Sequence, residues 1–113
     1  MKAIVLGATG FIGSHVARAL VKEEIDVRIL RREKSPTLAL EGIKVEEVLG
    51  DLNDRSSLLE AMKGQQILFH AAGYYPLFSL ERERQKNLAL QQIRNVLGAA
   101  EKAGLQKIIF TSS

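Results

Sequence analysis

Three glycines at a fixed spacing follow the first apolar run of the chain and constrain its fold more than any other feature. Gly7, Gly10 and Gly13 form the pattern G-x-x-G-x-x-G between the apolar run 2–6 and the helical pattern 11–22. Such a turn needs glycine for its tight bend, for approach of the backbone to a phosphate and for close packing of helix on strand. The free N–H groups at the helix start then face the phosphate. We expect a strand–turn–helix unit that holds a pyrophosphate, the alternative being an ordinary turn with incidental glycines.

The hydrophobic pattern alternates between short apolar runs and helical spacing along the whole chain. Apolar runs predict five strands, at 2–6, 26–30, 45–48, 66–72 and 107–111. Helical spacing predicts three helices, at 11–22, from a cap at Asn53 or Asp54 to 63, and at 81–103. This order is typical of an α/β fold with a mostly parallel sheet and helices on both faces. Because crossovers are right-handed, we expect a Rossmann-type doubly wound sheet with strand order 3-2-1-4-5.

Composition excludes several other classes of protein. The chain has 113 residues, about one domain, with 46% hydrophobic and 26% charged residues, close to the average soluble domain. It has no cysteine and two histidines, which argues against a disulfide framework or a metal site. The net charge of +3 is too mild to indicate a nucleic-acid partner. No apolar stretch has the roughly 18 residues of a membrane helix, so we expect a cytoplasmic protein.

Four segments of the chain resemble the short-chain dehydrogenase/reductase superfamily. Thr9-Gly10-Phe11-Ile12-Gly13 is similar to the glycine turn of its extended branch, which includes nucleotide-sugar epimerases and dihydroflavonol-reductase-like enzymes. The other segments fall where the family has later cofactor-contact and catalytic-strand motifs: Gly50-Asp51-Leu52, His70-Ala71-Ala72-Gly73 and Phe110-Thr111-Ser112-Ser113. The resemblance spans all 113 residues. Tyr74-Tyr75-Pro76 is closer to the reductase-like members than to sugar epimerases.

The resemblance implies a role for each matching residue. The pyrophosphate would lie on the loop formed by Gly7, Thr9, Gly10, Phe11, Ile12 and Gly13. Asp51 would accept a hydrogen bond from the adenine amino group and Leu52 would pack on the ring, although Asp51 could instead be a helix-entry acid. The ribose nearer the nicotinamide would border Ala71, Ala72 and Gly73. Ser113 matches the catalytic serine or threonine that hydrogen-bonds the substrate oxygen; its alternative is a strand-end hydroxyl without a catalytic role.

Two arginines at the end of the second strand bear on the type of cofactor. Arg31 and Arg32 follow Leu30 directly, and Glu33 comes next. A carboxylate at this place suits the ribose 2′-hydroxyl of NAD, whereas arginine suits the 2′-phosphate of NADP. We therefore expect NADP, with Arg32 the better match to the family. NAD is the alternative, because Glu33 could bind the ribose 2′-hydroxyl. A further alternative is that residues 31–34 form a solvated loop that binds no cofactor.

The family's proton-transfer pair, a tyrosine and a lysine four residues later, is not found in these residues. Phe78 and Ser79 stand four residues after Tyr74 and Tyr75, and in the family the pair follows the fifth strand. We therefore interpret residues 1–113 as the cofactor-binding part of a reductase or epimerase that transfers a hydride at a carbonyl or carbinol carbon. This part should lack the substrate-binding region, leave the sheet incomplete on its C-terminal side and be inactive alone. The alternative is a non-catalytic NAD(P)-binding module with a redox-sensing or regulatory role.

The long helix predicted at 81–103 carries more apolar surface than is needed to cover the sheet. Leu88, Gln92, Val96 and Ala99 form a second stripe, which predicts a homodimer through this helix. Asn95 matches a structural asparagine of the family and is expected to bridge to the fourth strand or to face water.

Overall fold

The computed structural model describes residues 1–34, 37–71 and 82–110, and within the last range the side chains of residues 82, 83, 85 and 86 lie outside the description. The strands are β1 (Lys2–Leu6), β2 (Asp26–Arg31), β3 (Glu46–Leu49), β4 (Ile67–His70) and β5 (Lys107–Phe110). The helices are α1 (Phe11–Lys22), α2 (Arg55–Met62) and α3 (Arg82–Ala103), with a 3-10 turn at Leu38–Leu40. Apart from that short turn, the order of elements is the one the sequence predicts.

The five strands form one parallel sheet in the order β3-β2-β1-β4-β5, which confirms the predicted topology. Leu6, the last residue of β1, lies opposite Leu30 of β2 and His70 of β4. Arg31, the last residue of β2, lies opposite Leu49 of β3. The carboxyl ends of these strands therefore share one edge of the sheet, where doubly wound folds bind their ligands.

The helices cover the two faces of the sheet and divide the core into two layers. On one face α1 and the 3-10 turn enclose a cluster of buried apolar residues: Val5, Ala8, Ala17, Val27, Ile29 and Leu40. On the other face α2 and α3 enclose a second cluster: Ile4, Leu6, Leu30, Leu58, Ala61, Met62, Leu68, Val96, Ala99 and Ala100. Because β1 is covered on both faces, its apolar run is buried without interruption from Ala3 to Leu6.

The acidic strand β3 is displaced by one residue from the predicted range, 46–49 instead of 45–48. Its two acids pair with arginines of the neighbouring strand β2. The Glu46 carboxylate lies 3.1 Å from Nε of Arg28, and the Glu47 carboxylate lies 2.8 Å from Nε of Arg31. The two adjacent glutamates are tolerated in this edge strand because each carboxylate is paired with an arginine of β2.

The 3-10 turn was not predicted from the sequence, since its three residues carry no helical periodicity. The Arg18 guanidinium of α1 holds this turn by donating to the carbonyl of Ala39 at 2.8 Å and of Glu41 at 2.8 Å. The turn is therefore fixed by a contact across 21 to 23 residues of sequence.

The predicted stripe on α3 is wrong in two of its members. Val96 and Ala99 are fully buried against the sheet and α2, so they cannot form an outer surface. The exposed apolar residues of α3 at helical spacing are Leu90, Ile93 and Leu97. The homodimer through this helix stays a prediction. Among the described residues, no helix is both long and apolar enough to cross a membrane.

Candidate functional site

The loop between β1 and α1 has a geometry that explains two of its three glycines. Gly7 has φ of +83°, in the left-handed region that favours glycine. A Cβ atom on Gly13 would lie 1.9 Å from the carbonyl oxygen of Gly7, so the start of α1 packs directly on the end of β1. A Cβ atom on Gly10 would lie 3.4 Å from the same oxygen, which is an ordinary contact. Packing inside the chain therefore does not require Gly10, whereas approach of a ligand to the loop would.

The N-terminus of α1 offers hydrogen-bond donors that no side chain of the helix satisfies. Gly10 is the N-cap residue with extended backbone, no side chain caps the helix, and its first turn carries no acidic residue. The Gly10 N–H closes the preceding turn on the Gly7 carbonyl at 3.0 Å. Uncapped first-turn N–H groups together with the helix dipole form an anion site. The loop thus fits the pyrophosphate of a dinucleotide in both shape and charge.

Two apolar side chains flank this helix start on its outer side. Phe11 is 80% exposed and contacts the ring of His15 edge-on, with ring centroids 4.7 Å apart. Ile12 is also exposed. Their backbone groups belong to the first turn of α1, while Thr9 lies in the turn before the helix, and the cofactor roles of these three residues stay predictions.

The end of β2 places Arg31 and Arg32 in different surroundings. Arg31 donates from Nε to Glu47 at 2.8 Å and from Nη1 to the carbonyls of Arg32 at 3.3 Å and Glu33 at 3.2 Å. Its guanidinium is therefore folded over its own loop and against β3. Arg32 is exposed at the start of that loop.

The segment after β3 carries Asp51 and Leu52 next to the end of β2. The Gly50 N–H donates to the Arg31 carbonyl at 3.0 Å and so extends the pairing of β3 with β2. Asp54, not Asp51, caps α2, since its Oδ1 accepts from the N–H groups of Ser56 and Ser57 at 3.0 and 3.3 Å. Asp51 accepts from the Asn53 N–H at 2.9 Å within its own loop. The predicted cap at Asp54 is correct, and Asp51 is not needed as a helix-entry acid.

Asn95 of α3 supports this segment from behind, a role for which the sequence offers little signal. It is buried, and its Nδ2 donates to the carbonyl of Leu52 at 3.0 Å while its Oδ1 accepts from Gln91 at 3.1 Å. The neighbouring Gln92 donates to the Asn53 side chain at 3.3 Å. The expected bridge from Asn95 to the fourth strand is therefore wrong: the bridge runs to the loop between β3 and α2. The available sign was the match of Asn95 to a structural asparagine of the family, which does not identify its partner.

The end of β4 completes the described part of the site. The Ala71 N–H donates to the Leu6 carbonyl at 2.9 Å, so Ala71 lies beside the start of the glycine loop. His70 is buried and stacks on Phe110 of β5, with ring centroids 5.2 Å apart. Burial lowers the pKa of His70 below its usual value, and a hydrogen bond with its own backbone offsets part of that shift.

The structure brings most of the predicted cofactor residues to one edge. The register places the glycine loop, the end of β2, the Asp51–Leu52 segment and Ala71 side by side along the carboxyl ends of β1 to β4. Ala72, Gly73 and Ser113 lie outside the described residues. Their predicted roles stay predictions.

Comparison with known proteins gives consistent matches over the whole chain. Residues 4–113 match the 3-beta hydroxysteroid dehydrogenase/isomerase family. A Synechocystis protein provisionally named dihydroflavonol 4-reductase is 38% identical over 109 residues, which are 96% of this chain and 32% of that protein. The crystal structure of a protein named gox2253 superposes with a TM-score of 0.88 at 39% identity, over 99% of this chain and 34% of the other.

A second solved structure has a bound dinucleotide. It is a short-chain dehydrogenase/reductase superfamily protein from Agrobacterium tumefaciens with bound NAD, similar at 29% identity and a TM-score of 0.78, over 100% of this chain and 33% of that one. The chain spans about a third of the length of these three relatives.

Proposed function

The chain belongs to the 3-beta hydroxysteroid dehydrogenase/isomerase family within the extended short-chain dehydrogenase/reductase superfamily, and from this membership we propose that it forms the cofactor half-site of an NAD(P)-dependent oxidoreductase. The reaction is hydride transfer at a carbonyl or carbinol carbon of a small molecule, as in the dihydroflavonol-reductase-like members. The single observation that carries the proposal is the glycine loop: a close-packed strand–helix turn with an uncapped, acid-free helix start.

The proposed cofactor is held along the edge that the four strand ends share. The first-turn N–H groups of α1 bind the pyrophosphate, and Asp51 and Leu52 border the adenine ring. Ala71 borders the ribose nearer the nicotinamide. When bound, the nicotinamide supplies the carbon that gives or accepts the hydride. Ser113 is proposed to hydrogen-bond the substrate oxygen.

We propose NADP rather than NAD as the preferred cofactor. Arg32 supports this choice, because it is exposed directly after β2, where a guanidinium suits a 2′-phosphate. Glu33, two residues beyond β2, is the group through which NAD would be accepted instead. The enzyme names of the relatives favour turnover over a regulatory role.

The proposal is tested by placing a carboxylate where the pyrophosphate is expected. In Gly10→Asp the new side chain caps α1, because aspartate is a preferred N-cap residue and the backbone of Gly10 is already extended. We expect the variant to unfold at the same or higher urea concentration than the wild type, and to bind NADPH at least ten times more weakly.

The matched control is Gly10→Ala, which adds a methyl group without charge at the same position. NADPH binding is measured by the change in the cofactor's fluorescence, with the protein at its natural length. Equal NADPH affinity of Gly10→Asp and the wild type would contradict the pyrophosphate site. NADPH binding without oxidation of NADPH by any carbonyl substrate would favour the regulatory alternative.

A further inference from the structure

Strands β2 and β3 are joined by two arginine–glutamate pairs that have different roles. Arg28 bonds to Glu46 and also donates to the carbonyls of Ala61 and Lys63 at 2.8 and 2.9 Å, so it satisfies the C-terminal end of α2. Among the residues that the structure describes, the pair between Arg31 and Glu47 contacts no helix. Its remaining hydrogen bonds go to the loop that follows β2.

Glu47 determines where the charge of Arg31 lies. The carboxylate takes the Nε donor at 2.8 Å, while Nη1 is bound to two backbone carbonyls of the loop. With these bonds made, the guanidinium lies along β3 and its charge is matched by Glu47. The side chains of Arg31 and Glu47 are 25% and 44% exposed. The pair is therefore open to water and contributes little to the stability of the fold. A pair that contributes little to the fold can be altered without unfolding the protein.

We propose that Glu47 is a positioning residue for cofactor selectivity, which retains Arg31 on β3 and so limits the positive charge offered to a 2′-phosphate at the end of β2. This inference rests on the proposed function. It gives the two adjacent arginines separate roles: Arg31 is bonded to the loop that follows β2, and Arg32, which is exposed, is the residue proposed to bind the 2′-phosphate. Glu47 thereby moderates the preference for NADP that two arginines in sequence would otherwise produce.

The test is Glu47→Gln, which preserves the size of the side chain and removes its charge. Arg31 then carries an unmatched positive charge next to the expected 2′-phosphate. We expect the dissociation constant of NADPH to fall about three- to tenfold, as for one added charge-assisted contact at an exposed site. The dissociation constant of NADH, which has no 2′-phosphate, should stay within about twofold.

Glu46→Gln is the matched control, since it removes the same charge from the same strand but from the pair that serves α2. We expect it to leave the ratio of NADPH to NADH affinity unchanged. A purely structural role of Glu47 would alter the two affinities together and would not move this ratio. In an Arg31→Met background, Glu47→Gln should also leave the ratio unchanged, because the charge to be released is gone.

The outcomes separate this inference from the function on which it rests. A wild-type protein that binds neither NADPH nor NADH overturns both. If the wild type binds either cofactor, but the ratio of NADPH to NADH affinity is the same in Glu47→Gln as in Glu46→Gln, only the role of Glu47 is overturned. Weaker NADPH binding in Glu47→Gln also overturns it, since Glu47 would then support phosphate binding. All titrations are made at one fixed ionic strength, because the expected gain is electrostatic.

Discussion

The substitution Gly13→Ala adds one methyl group to α1, and the position of that group makes it severely destabilising. The new Cβ would lie 1.9 Å from the carbonyl oxygen of Gly7, 2.5 Å from its carbonyl carbon and 2.9 Å from Cα of Ala8. All three atoms are backbone, so no side chain can rotate away. The clash is relieved only when the helix start moves away from the end of β1.

The size of that movement follows from the same loop. Gly10 shows that a Cβ at 3.4 Å from the Gly7 oxygen is an ordinary contact, so α1 must shift by about 1.5 Å, from 1.9 to 3.4 Å. Such a shift opens the packing between Ala17 of α1 and the buried residues Val5 and Ala8. Overpacking of this kind costs about 1–3 kcal/mol, and we expect about 3 kcal/mol because the neighbours are rigid. That is a large part of the ~5–15 kcal/mol by which a domain is stable.

The assay is urea unfolding followed by circular dichroism, with Gly10→Ala as the matched control. Both variants add the same methyl group to the same loop, but the Cβ on Gly10 meets only an ordinary contact. We expect Gly10→Ala to change the free energy of unfolding by less than about 1 kcal/mol. If Gly13→Ala lies within about 0.5 kcal/mol of Gly10→Ala, α1 does not pack on β1 as closely as these distances require.

Two further predictions concern buried polar groups. Asn95→Ala leaves the Leu52 carbonyl without its donor and should lower the free energy of unfolding by about 1–3 kcal/mol, measured by urea unfolding. The control Gln92→Ala removes the more exposed bond to Asn53 and should lower the free energy of unfolding by less. Equal losses in the two variants would refute the supporting role of Asn95. Because burial lowers the pKa of His70 in the folded state, the stabilising effect of its neutral form is fully present above the unfolded value of 6.5 and is lost as the pH falls from there toward the folded pKa. The urea midpoint should therefore fall from pH 7.5 to pH 5.5 more in the wild type than in His70→Asn, and an equal fall in the two proteins would refute this role of His70.

The part of the fold that was predictable depends on local pattern and on chirality. The apolar run that ends β1 and the helical spacing of α1 give the observed bounds to the residue, and Gly7 and Gly10 mark the end of β1 and the start of α1. Strand order follows from right-handed crossovers, which leave few alternatives once the order of elements is known. The cap of α2 at Asp54 was one of two adjacent candidates, and local sequence alone could not separate it from Asn53.

The part that was not predictable depends on partners distant in sequence. The position of β3 is tied to its ion pairs with β2, and a strand with adjacent glutamates has no clear pattern until those partners are known. The bond from Asn95 to Leu52 spans 43 residues, so a single asparagine in a helix gives no sign of its target. The pairing of Arg31 with Glu47, 16 residues away, likewise has no sign in the local sequence.

The described half-site combines a rigid centre with adjustable borders, and this difference indicates where specificity can change. The glycine loop is fixed by backbone packing between Gly7 and Gly13, so the proposed position of the pyrophosphate is set by backbone atoms. The borders are held by side chains instead: Asn95 supports the Asp51–Leu52 segment, and Glu47 anchors Arg31 beside the end of β2. Substitution of a side-chain anchor moves one border and leaves the centre in place. We therefore expect the proposed phosphate-binding role of the loop to be separable by substitution from the proposed choice between NADP and NAD at its borders.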